Sequence, residues 1–455
     1  MAAIFSTQTR NTHAVVAGRE IARAIKQSDA AIRQEYPFLY HQDWICTIIF
    51  TSSILLMSLF SYLYLSNYIS AIPTIISIAL VISFLHELEH DIIHNLYFKK
   101  YKSIQNFMFL FIWIAKLHIS PWYRRQLHLK HHLLSGQIND AEERLIGLGL
   151  SPNYKRMVVS MHPFGGVLVT DDIKKDAKFL NLFTLQAHNA PMMLIFLFIN
   201  LCFLGYNLLY FIYFCFNYDM NTIYGIDTFY PTIRTLAVCL CFPNLLRQAC
   251  LVLMSNSSHY FGDIPLNTVY YQNQILDSWY MLPFQLFCFN FGATHIVHHY
   301  VPSQPFYIRH FTARSVKNVM IELGVRNNDF GILWRNNHYT IDPKVDGKQQ
   351  FYGKCWFAAC IVLGFPLYII WDIMILRKLN KNIINLISEK LSKQNIKEHD
   401  FNNNNVLLTD EKMVNNGEAI IGNGTSQLNS LTNRMALHYV SQDQIEEIGD
   451  KALET

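Results

Sequence analysis

The chain has 455 residues, of which 51% are apolar and 14% are aromatic, while only 15% are charged. A soluble domain has about 25% charged residues, so this composition is typical of a membrane protein. The formal net charge of +4 is small and the Lys and Arg residues are scattered, which argues against a nucleic-acid partner. The nine cysteines form no CxxC pair and no small-domain spacing, which argues against a disulfide framework.

Residues 1–43 form a polar, helix-prone segment that lacks the apolar core and cleavage site of a secretory signal. Insertion into a membrane would then be directed by the first spanning helix. Four later runs reach the ~20 apolar residues that a spanning helix needs. They predict two hairpins, formed by 44–65 with 69–88 and by 190–216 with 232–254.

Two further apolar runs differ from these four. The run at 104–119 is shorter and ends in "SPWYRR", which favours a helix lying at the membrane interface. The run at 356–376 is long enough to cross a bilayer, but Pro366 and Asp372 interrupt it. It is a candidate fifth hydrophobic helix whose topology the sequence leaves open.

The basic residues predict which side of the membrane each loop faces. The loop after the third predicted span, "NYDMNTIYGIDTFY", has two acids and no Lys or Arg. Six basic residues crowd the loop after the second span: Lys99, Lys100, Lys102, Arg124, Arg125 and Lys130. The segments that follow the second and fourth spans are therefore expected in the cytosol.

These elements predict four regions along the chain. The polar segment 1–43 precedes a membrane domain over 44–340, and a C-terminal hydrophobic helix region follows over 341–390. Residues 391–455 are Asn-rich with few aromatic residues, which predicts a disordered tail. The tripeptide Asn256-Ser-Ser matches a glycosylation acceptor but would face the cytosol, so it is interpreted as a chance match.

Histidines cluster at three places on the predicted cytosolic side. The clusters are "HELEHDIIH" (His86 to His94), "HLKHH" (His128, His131, His132) and "HIVHH" (His295, His298, His299). On a helix, positions i, i+3 and i+4 share one face, so each cluster can present its imidazoles to a common point. Neutral imidazole binds Fe, Zn, Cu or Ni, and eight or more rings exceed what one tetrahedral zinc can use. The count therefore favours two metal ions.

Single histidines outside the clusters have different interpretations. His259 follows the fourth predicted span on the same membrane face, so it is the candidate ninth ligand. Asn256 lies one turn before it and could hold a water or orient the ring, although Asn after a helix end is more often a cap. His162, in "MHPFGG", is interpreted as a turn residue, and His188 as a residue beside the site or at the membrane interface.

The first cluster also contains His86-Glu87-Leu88-Glu89-His90, a literal HExxH. This is the zinc-protease signature, in which Glu87 would act as general base. An intramembrane zinc protease is therefore a rival hypothesis. It leaves "HLKHH" and "HIVHH" without a function, and no Asp-Gly motif in a later span completes such a site.

From about Trp44 to Asn337 the chain resembles the membrane fatty acid desaturase superfamily, which has HxxxH, HxxHH and HxxHH boxes around paired hairpins. "HDIIHNLYF" resembles the first box and leaves His86 as an extra or alternative ligand. The resemblance implies an all-α integral membrane fold with four spans and a cytosolic helical cap that holds two irons. It also implies the ligand set, which is His90, His94, His128, His131, His132, His259, His295, His298 and His299.

The resemblance further implies an O2-dependent oxidoreductase that desaturates a fatty acyl chain of a lipid. Lipid hydroxylation is the alternative within the same superfamily. Two electrons per turnover would come from an external donor such as cytochrome b5 or ferredoxin, since no haem, flavin or ferredoxin motif occurs in the chain. The endoplasmic reticulum membrane is the expected location if the chain is eukaryotic, with the histidines facing the cytosol.

Ligating imidazoles usually donate their second N–H to a nearby acceptor, which fixes the ring. The candidates for such supporting roles are Glu87, Asp91, Asp140, Glu142 and Asn256. Solvation of a helix surface is the competing explanation for Glu142.

Overall fold

The computed structural model describes residues 2–392 except 220, 222, 365, 366, 369, 386, 389 and 390. Within these residues the chain is helical, and the only β-structure is two isolated bridges, His259 with Asn273 and Ile275 with Asn327. The helices are α1 (Ala2–Glu35), α2 (Gln42–Leu65), α3 (Ala71–Ile93), α4 (Lys102–Lys116), α5 (Pro121–Leu134), α6 (Ala141–Leu145), α7 (Tyr154–Met161), α8 (Thr170–Asp176), α9 (Leu182–Cys215), α10 (Phe229–Leu236), α11 (Phe242–Ser258), α12 (Leu282–Gln285), α13 (Phe291–Tyr300), α14 (Phe306–Glu322), α15 (Gly331–Trp334) and α16 (Asp346–Gly364).

Four of the described helices are long and apolar enough to cross a membrane. They are α2, α3, α9 and the continuous helix 229–258, in which a π-helical turn at Ala237–Cys241 joins α10 to α11. The all-helical fold with four spans is therefore confirmed. The span α2 is exposed over most of its length, whereas α3 and the helix 229–258 are mostly buried within the protein. These two buried helices, α3 and the helix 229–258, are the spans whose C-terminal ends lead to the histidines.

The helix α3 extends five residues beyond the end predicted for the second span. Its last two turns contain five buried polar residues, with Leu88 among them: His86, Glu87, Glu89, His90 and Asp91. Polar residues lower the hydropathy at the end of the predicted span, but in the folded protein Glu89 and Asp91 form ion pairs with Lys116 and Arg309. The helix consequently carries the first histidine cluster on its own final turns.

One ion pair connects the end of α3 to α14. Asp91 is fully buried, and its Oδ2 accepts from the Tyr97 hydroxyl at 2.7 Å and from the Phe306 backbone N–H at 2.9 Å. Arg309 donates to Asp91 Oδ1 at 2.5 Å. The nearest imidazole nitrogen, His90 Nδ1, lies 3.7 Å away, beyond hydrogen-bond distance. Asp91 therefore fastens two helices together instead of accepting an imidazole N–H as expected.

The helix α4 has fifteen residues, too few to cross a bilayer. It buries Met108 and Ile112 and leaves an outward apolar face that includes Phe107 and Ile114. This two-sided pattern suits the predicted position at the membrane interface, which stays a prediction. The helix ends at Leu117, whose left-handed conformation (φ 42°) turns the chain toward α5.

The N-terminal and C-terminal regions also pack onto this core. The helix α1 lies along α14 through a cluster that includes Ile21, Ile25 and Val316. Within the described part of the run 356–376, α16 ends at Gly364, and Trp371 packs in one apolar cluster with residues of α9 and the helix 229–258. Apart from residues 391 and 392, the predicted disordered tail lies outside the described residues.

Candidate metal centre

Four helix ends bring nine histidines together. Eight of these residues form two groups, and within each group the ligand nitrogens lie within 4.8 Å of one another. The first histidine group is His90, His94, His128 and His298, and the second histidine group is His131, His259, His295 and His299. His132 lies beside the first group, with its Nε2 atom 2.9 Å from Nε2 of His298 and 3.2 Å from Nε2 of His128.

The local structure explains why these rings point inward. Ser120 caps α5 by accepting from the Tyr123 backbone N–H, Pro121 opens the helix, and the histidines of "HLKHH" then share one face of its last turns. The "HIVHH" cluster has the same spacing on α13. His259 is different, because it is the residue that ends α11 and has an extended backbone (φ −96°, ψ 136°). That conformation turns its ring out of the helix toward His295, with their Nε2 atoms 2.9 Å apart.

Four of the rings have their outer nitrogen fixed by an acceptor. Two rings have a carboxylate as this acceptor: Nδ1 of His131 lies 2.8 Å from Asp140, and Nδ1 of His128 lies 2.9 Å from Glu142. Two have a carbonyl oxygen: Nδ1 of His259 lies 2.9 Å from the Ser255 carbonyl, and Nδ1 of His299 lies 2.9 Å from Gln272 Oε1. Carboxylate and carbonyl oxygens only accept, so each Nδ1 carries a proton, and in the neutral ring that binds a metal each Nε2 presents a lone pair inward.

These inward lone pairs face one another at short distances. The Nε2 atoms of His128 and His94 are 3.0 Å apart, and those of His131 and His299 are 3.4 Å apart. Neighbouring nitrogens that bind one ion at about 2.0–2.1 Å have separations of about this size. His90 adds a buried ring, and neither of its nitrogens has a hydrogen-bond partner in the part of the chain that the structure describes. The donor set and its spacing therefore fit two metal ions better than a hydrogen-bonded cluster.

Charge around the rings favours a cation. Burial lowers the pKa of His131, but Asp140, its hydrogen bond and Glu143 outweigh burial and raise that pKa to about 9. Burial would raise the pKa of Glu142, but the neighbouring His128 reverses this and lowers it to about 2. For His259, burial is the main cause that lowers the pKa to about 3. The rings thus stay neutral where burial dominates, and negative charge stands directly behind two of them.

Asn256 takes a structural position instead of the one considered from the sequence. Its Oδ1 accepts from Arg156 at 3.2 Å, and its Nδ2 donates to the Ile146 carbonyl, so the side chain does not reach the His259 ring. Ser255 holds that ring instead. Sequence reasoning also missed Gln272, which lies 27 residues before His299 in a stretch with no helical spacing to connect the two.

The HExxH motif does not form a zinc-protease site. His86 is absent from both histidine groups, and its Nδ1 accepts from Lys116 Nζ at 3.0 Å. Lys116 in turn contacts the Glu89 carboxylate. A zinc site of this type needs His86 and His90 on one ion, and the two rings have different surroundings here.

The two remaining histidines considered from the sequence lie apart from both groups. His162 is fully buried and its Nε2 donates to Asp372 Oδ1 at 2.7 Å. His188 has its Nδ1 2.9 Å from the Ser120 hydroxyl, and its ring stacks on Tyr123. Both are therefore part of the packing around α5 and α9.

A cavity opens onto the histidines. Its wall includes rings from both groups and Glu87, and it continues along apolar side chains: Ile119, Leu127, Leu145, Val159, Phe164, Val167 and Leu185. Polar side chains of the spans, including Gln248, line another part of the same wall. One cavity therefore brings apolar side chains and rings of both histidine groups together.

The fold and site define an integral membrane protein with a candidate two-metal centre built from histidines. Residues 66–330, more than half of the chain, match the model of the family described as Fatty acid desaturase. The chain therefore belongs to the fatty acid desaturase family, and this membership implies an oxidoreductase of the desaturase or hydroxylase type. No curated protein and no solved structure matches the chain.

Proposed function

We propose that the nine histidines hold two iron ions and that the enzyme introduces a double bond into a fatty acyl chain of a lipid. The balanced reaction removes two hydrogen atoms from adjacent carbons, consumes O2, two electrons and two protons, and yields two water molecules. The observation that carries this proposal is that both histidine groups line one cavity whose wall continues along apolar side chains. Iron in such a site supplies the O2 reduction and the attack on an unactivated C–H bond that side chains alone lack.

The chain's own residues would position the rings and the substrate. Asp140, Glu142, Ser255 and Gln272 fix four imidazoles in the tautomer that leaves Nε2 free to bind a metal. The apolar wall would hold the acyl chain against the centre and exclude water. Desaturation needs both C–H bonds of the future double bond beside the metals, whereas a shifted chain would be hydroxylated.

The electrons would come from an external donor such as cytochrome b5 or ferredoxin. The basic loop after α3, with Lys99 and Lys100, would place the site on the cytosolic side, in the endoplasmic reticulum membrane if the chain is eukaryotic. The same positive charge would suit an acidic donor protein.

Lipid profiling of yeast cells with and without the gene tests the proposal. We expect new lipids that lack two hydrogens, and we expect His131→Ala and His259→Ala to abolish them while the protein still inserts into the membrane. His310→Ala is the matched control, because His310 lies on α14 outside both groups. Products that gain one oxygen would instead show that the enzyme is a hydroxylase. Full activity of several ligand variants, or purified protein that contains zinc and cleaves a membrane peptide, would contradict the proposal.

A further inference from the structure

Several polar side chains on the cavity wall have no function in the metal centre. Three of them lie on the spans and are called the polar trio below: His86 and Glu87 on α3 and Gln248 on α11. Each is at least nine-tenths buried, with 6%, 7% and 7% of its surface exposed respectively, and each lines the cavity. Glu87 has no hydrogen-bond or ion-pair partner among the described residues.

Neighbouring cations determine what two members of the trio present to the cavity. Lys116 has only donors, so its contact at 3.0 Å makes His86 Nδ1 an acceptor and leaves the proton of the neutral ring on Nε2. Arg247, itself buried, donates to Gln248 Oε1 at 2.6 Å. The Gln248 amide nitrogen is left without a partner in the described structure. The trio therefore offers two donors, from His86 and Gln248, and one carboxylate acceptor, from Glu87.

Two members of the polar trio, His86 and Glu87, are close to the candidate metals. His86 and Glu87 precede His90 by four and three residues on the same helix, so they lie on its face about one turn, or 5.4 Å, away. A plain hydrocarbon against this wall would leave two donors and a carboxylate buried without partners, which costs free energy at each group. A substrate with its own donors and acceptors at this point would satisfy them.

We propose that the polar trio binds a polar group of the substrate, and that the substrate is a lipid with a hydroxyl and an amide near the carbons attacked. The inference rests on the proposed function, since it names the substrate class of the same cavity. The acyl part would then follow the apolar wall, while the hydroxyl and amide pair with His86, Glu87 and Gln248. An N-acyl amino alcohol has this chemistry, and a simple fatty acyl ester has no donor to offer.

Competition binding tests the inference without turnover. The full-length protein as purified is kept under nitrogen with labelled N-stearoylethanolamine, which has an amide and a hydroxyl. Methyl stearate, with the same acyl chain but no donor, is the matched competitor. We expect wild type to prefer the amide alcohol by at least tenfold, and Gln248→Met and Glu87→Met to reduce this preference to within about threefold. Glu87→Gln keeps an acceptor oxygen and should retain most of the preference.

Leu251→Met is the control, because Leu251 also lines the cavity on α11 and a swap of similar volume should leave the preference intact. Size-exclusion profiles identify any variant that fails to fold, and the remaining trio variants then decide the outcome. Equal binding of both probes to wild type, or an unchanged preference in the folded trio variants, would overturn the inference. Absence of any O2-dependent lipid product would refute the proposed function instead, and the binding assay is independent of that result.

Discussion

The carboxylate of Asp140 has two separable contacts, which makes Asp140→Asn a sharp test of the metal centre. Its Oδ2 accepts from His131 Nδ1 at 2.8 Å, while its Oδ1 caps α6 by accepting the backbone N–H groups of Glu142 and Glu143 at 3.0 and 3.2 Å. Asn caps helices about as well as Asp. In Asp140→Asn the Oδ1 cap can stay, but an amide N–H would face His131 Nδ1.

The consequence is a change of tautomer. His131 would have to accept at Nδ1, which moves its proton to Nε2, the atom that faces the second histidine group. Loss of such a supporting contact reduces metal affinity by about 10- to 100-fold, or about 1.4 to 2.7 kcal/mol, and the forced tautomer places Asp140→Asn near the upper value. Asp140→Ala removes the contact without opposing the tautomer, so its metal loss should be nearer tenfold. It also loses the cap, which costs about 1 kcal/mol of stability.

The two variants should therefore rank in opposite orders in two assays. Iron per chain, measured after equilibration with a chelator of known affinity, should fall in the order wild type, Asp140→Ala, Asp140→Asn, and only one of two ions should be lost. Thermal unfolding in detergent should place Asp140→Asn close to wild type and Asp140→Ala below it. Wild-type iron affinity in Asp140→Asn would refute the assignment of His131 as a ligand held by this carboxylate.

Three further perturbations test other parts of the structure. Glu142→Gln replaces the carboxylate that accepts from His128 by a neutral amide, so iron analysis should show an affinity loss of about 10- to 100-fold at the first group, and two ions at wild-type affinity would contradict it. Asp91→Asn leaves Arg309 buried without a carboxylate, so denaturation in detergent should show a loss of about 3–5 kcal/mol; an unchanged melting curve would be the contrary result. Burial lowers the pKa of Lys116 to about 7, so between pH 7 and about 10.5 the unfolded chain binds more protons than the folded protein. Wild-type stability should therefore rise with pH in this range, and Lys116→Met should lack this rise. Parallel pH profiles of these two proteins would argue against that pKa.

The sequence predicted the parts of the site that depend on helical spacing. "HLKHH" and "HIVHH" repeat every three and four residues, so a helix alone places their rings on one face. Asp140 and Glu142 were also predicted, because both follow the end of α5 within eight residues. Gln272 and Ser255 were not found, since their contacts with His299 and His259 depend on how a loop and a helix end pack in the folded protein.

Asp91 and Asn256 miss the rings for two different reasons. Asp91 directly follows His90, and adjacent residues on a helix point about 100° apart, so Asp91 faces a different element. Asn256 precedes His259 by one turn, but His259 ends α11 with an extended backbone, so the two side chains do not share a helix face. Asp91 meets Arg309 on α14, and Asn256 meets Arg156 in the cap. Position along the chain therefore predicted which histidines cluster but not the direction of their neighbours.

The last turns of α3 show how one helix can carry three acids beside a membrane span. Buried carboxylates are costly unless they are paired, and two of the three are paired, Asp91 with Arg309 and Glu89 with Lys116. Glu87 is the exception. It lies two residues before Glu89 on the same helix and is also buried, with 7% of its surface exposed. Within the described residues no hydrogen bond or ion pair reaches it, so the folded protein bears the cost of a buried carboxyl group that faces the cavity. A substrate with a donor at that position would recover this free energy when it binds. We therefore expect Glu87, more than the candidate ligand histidines, to determine which lipid is accepted.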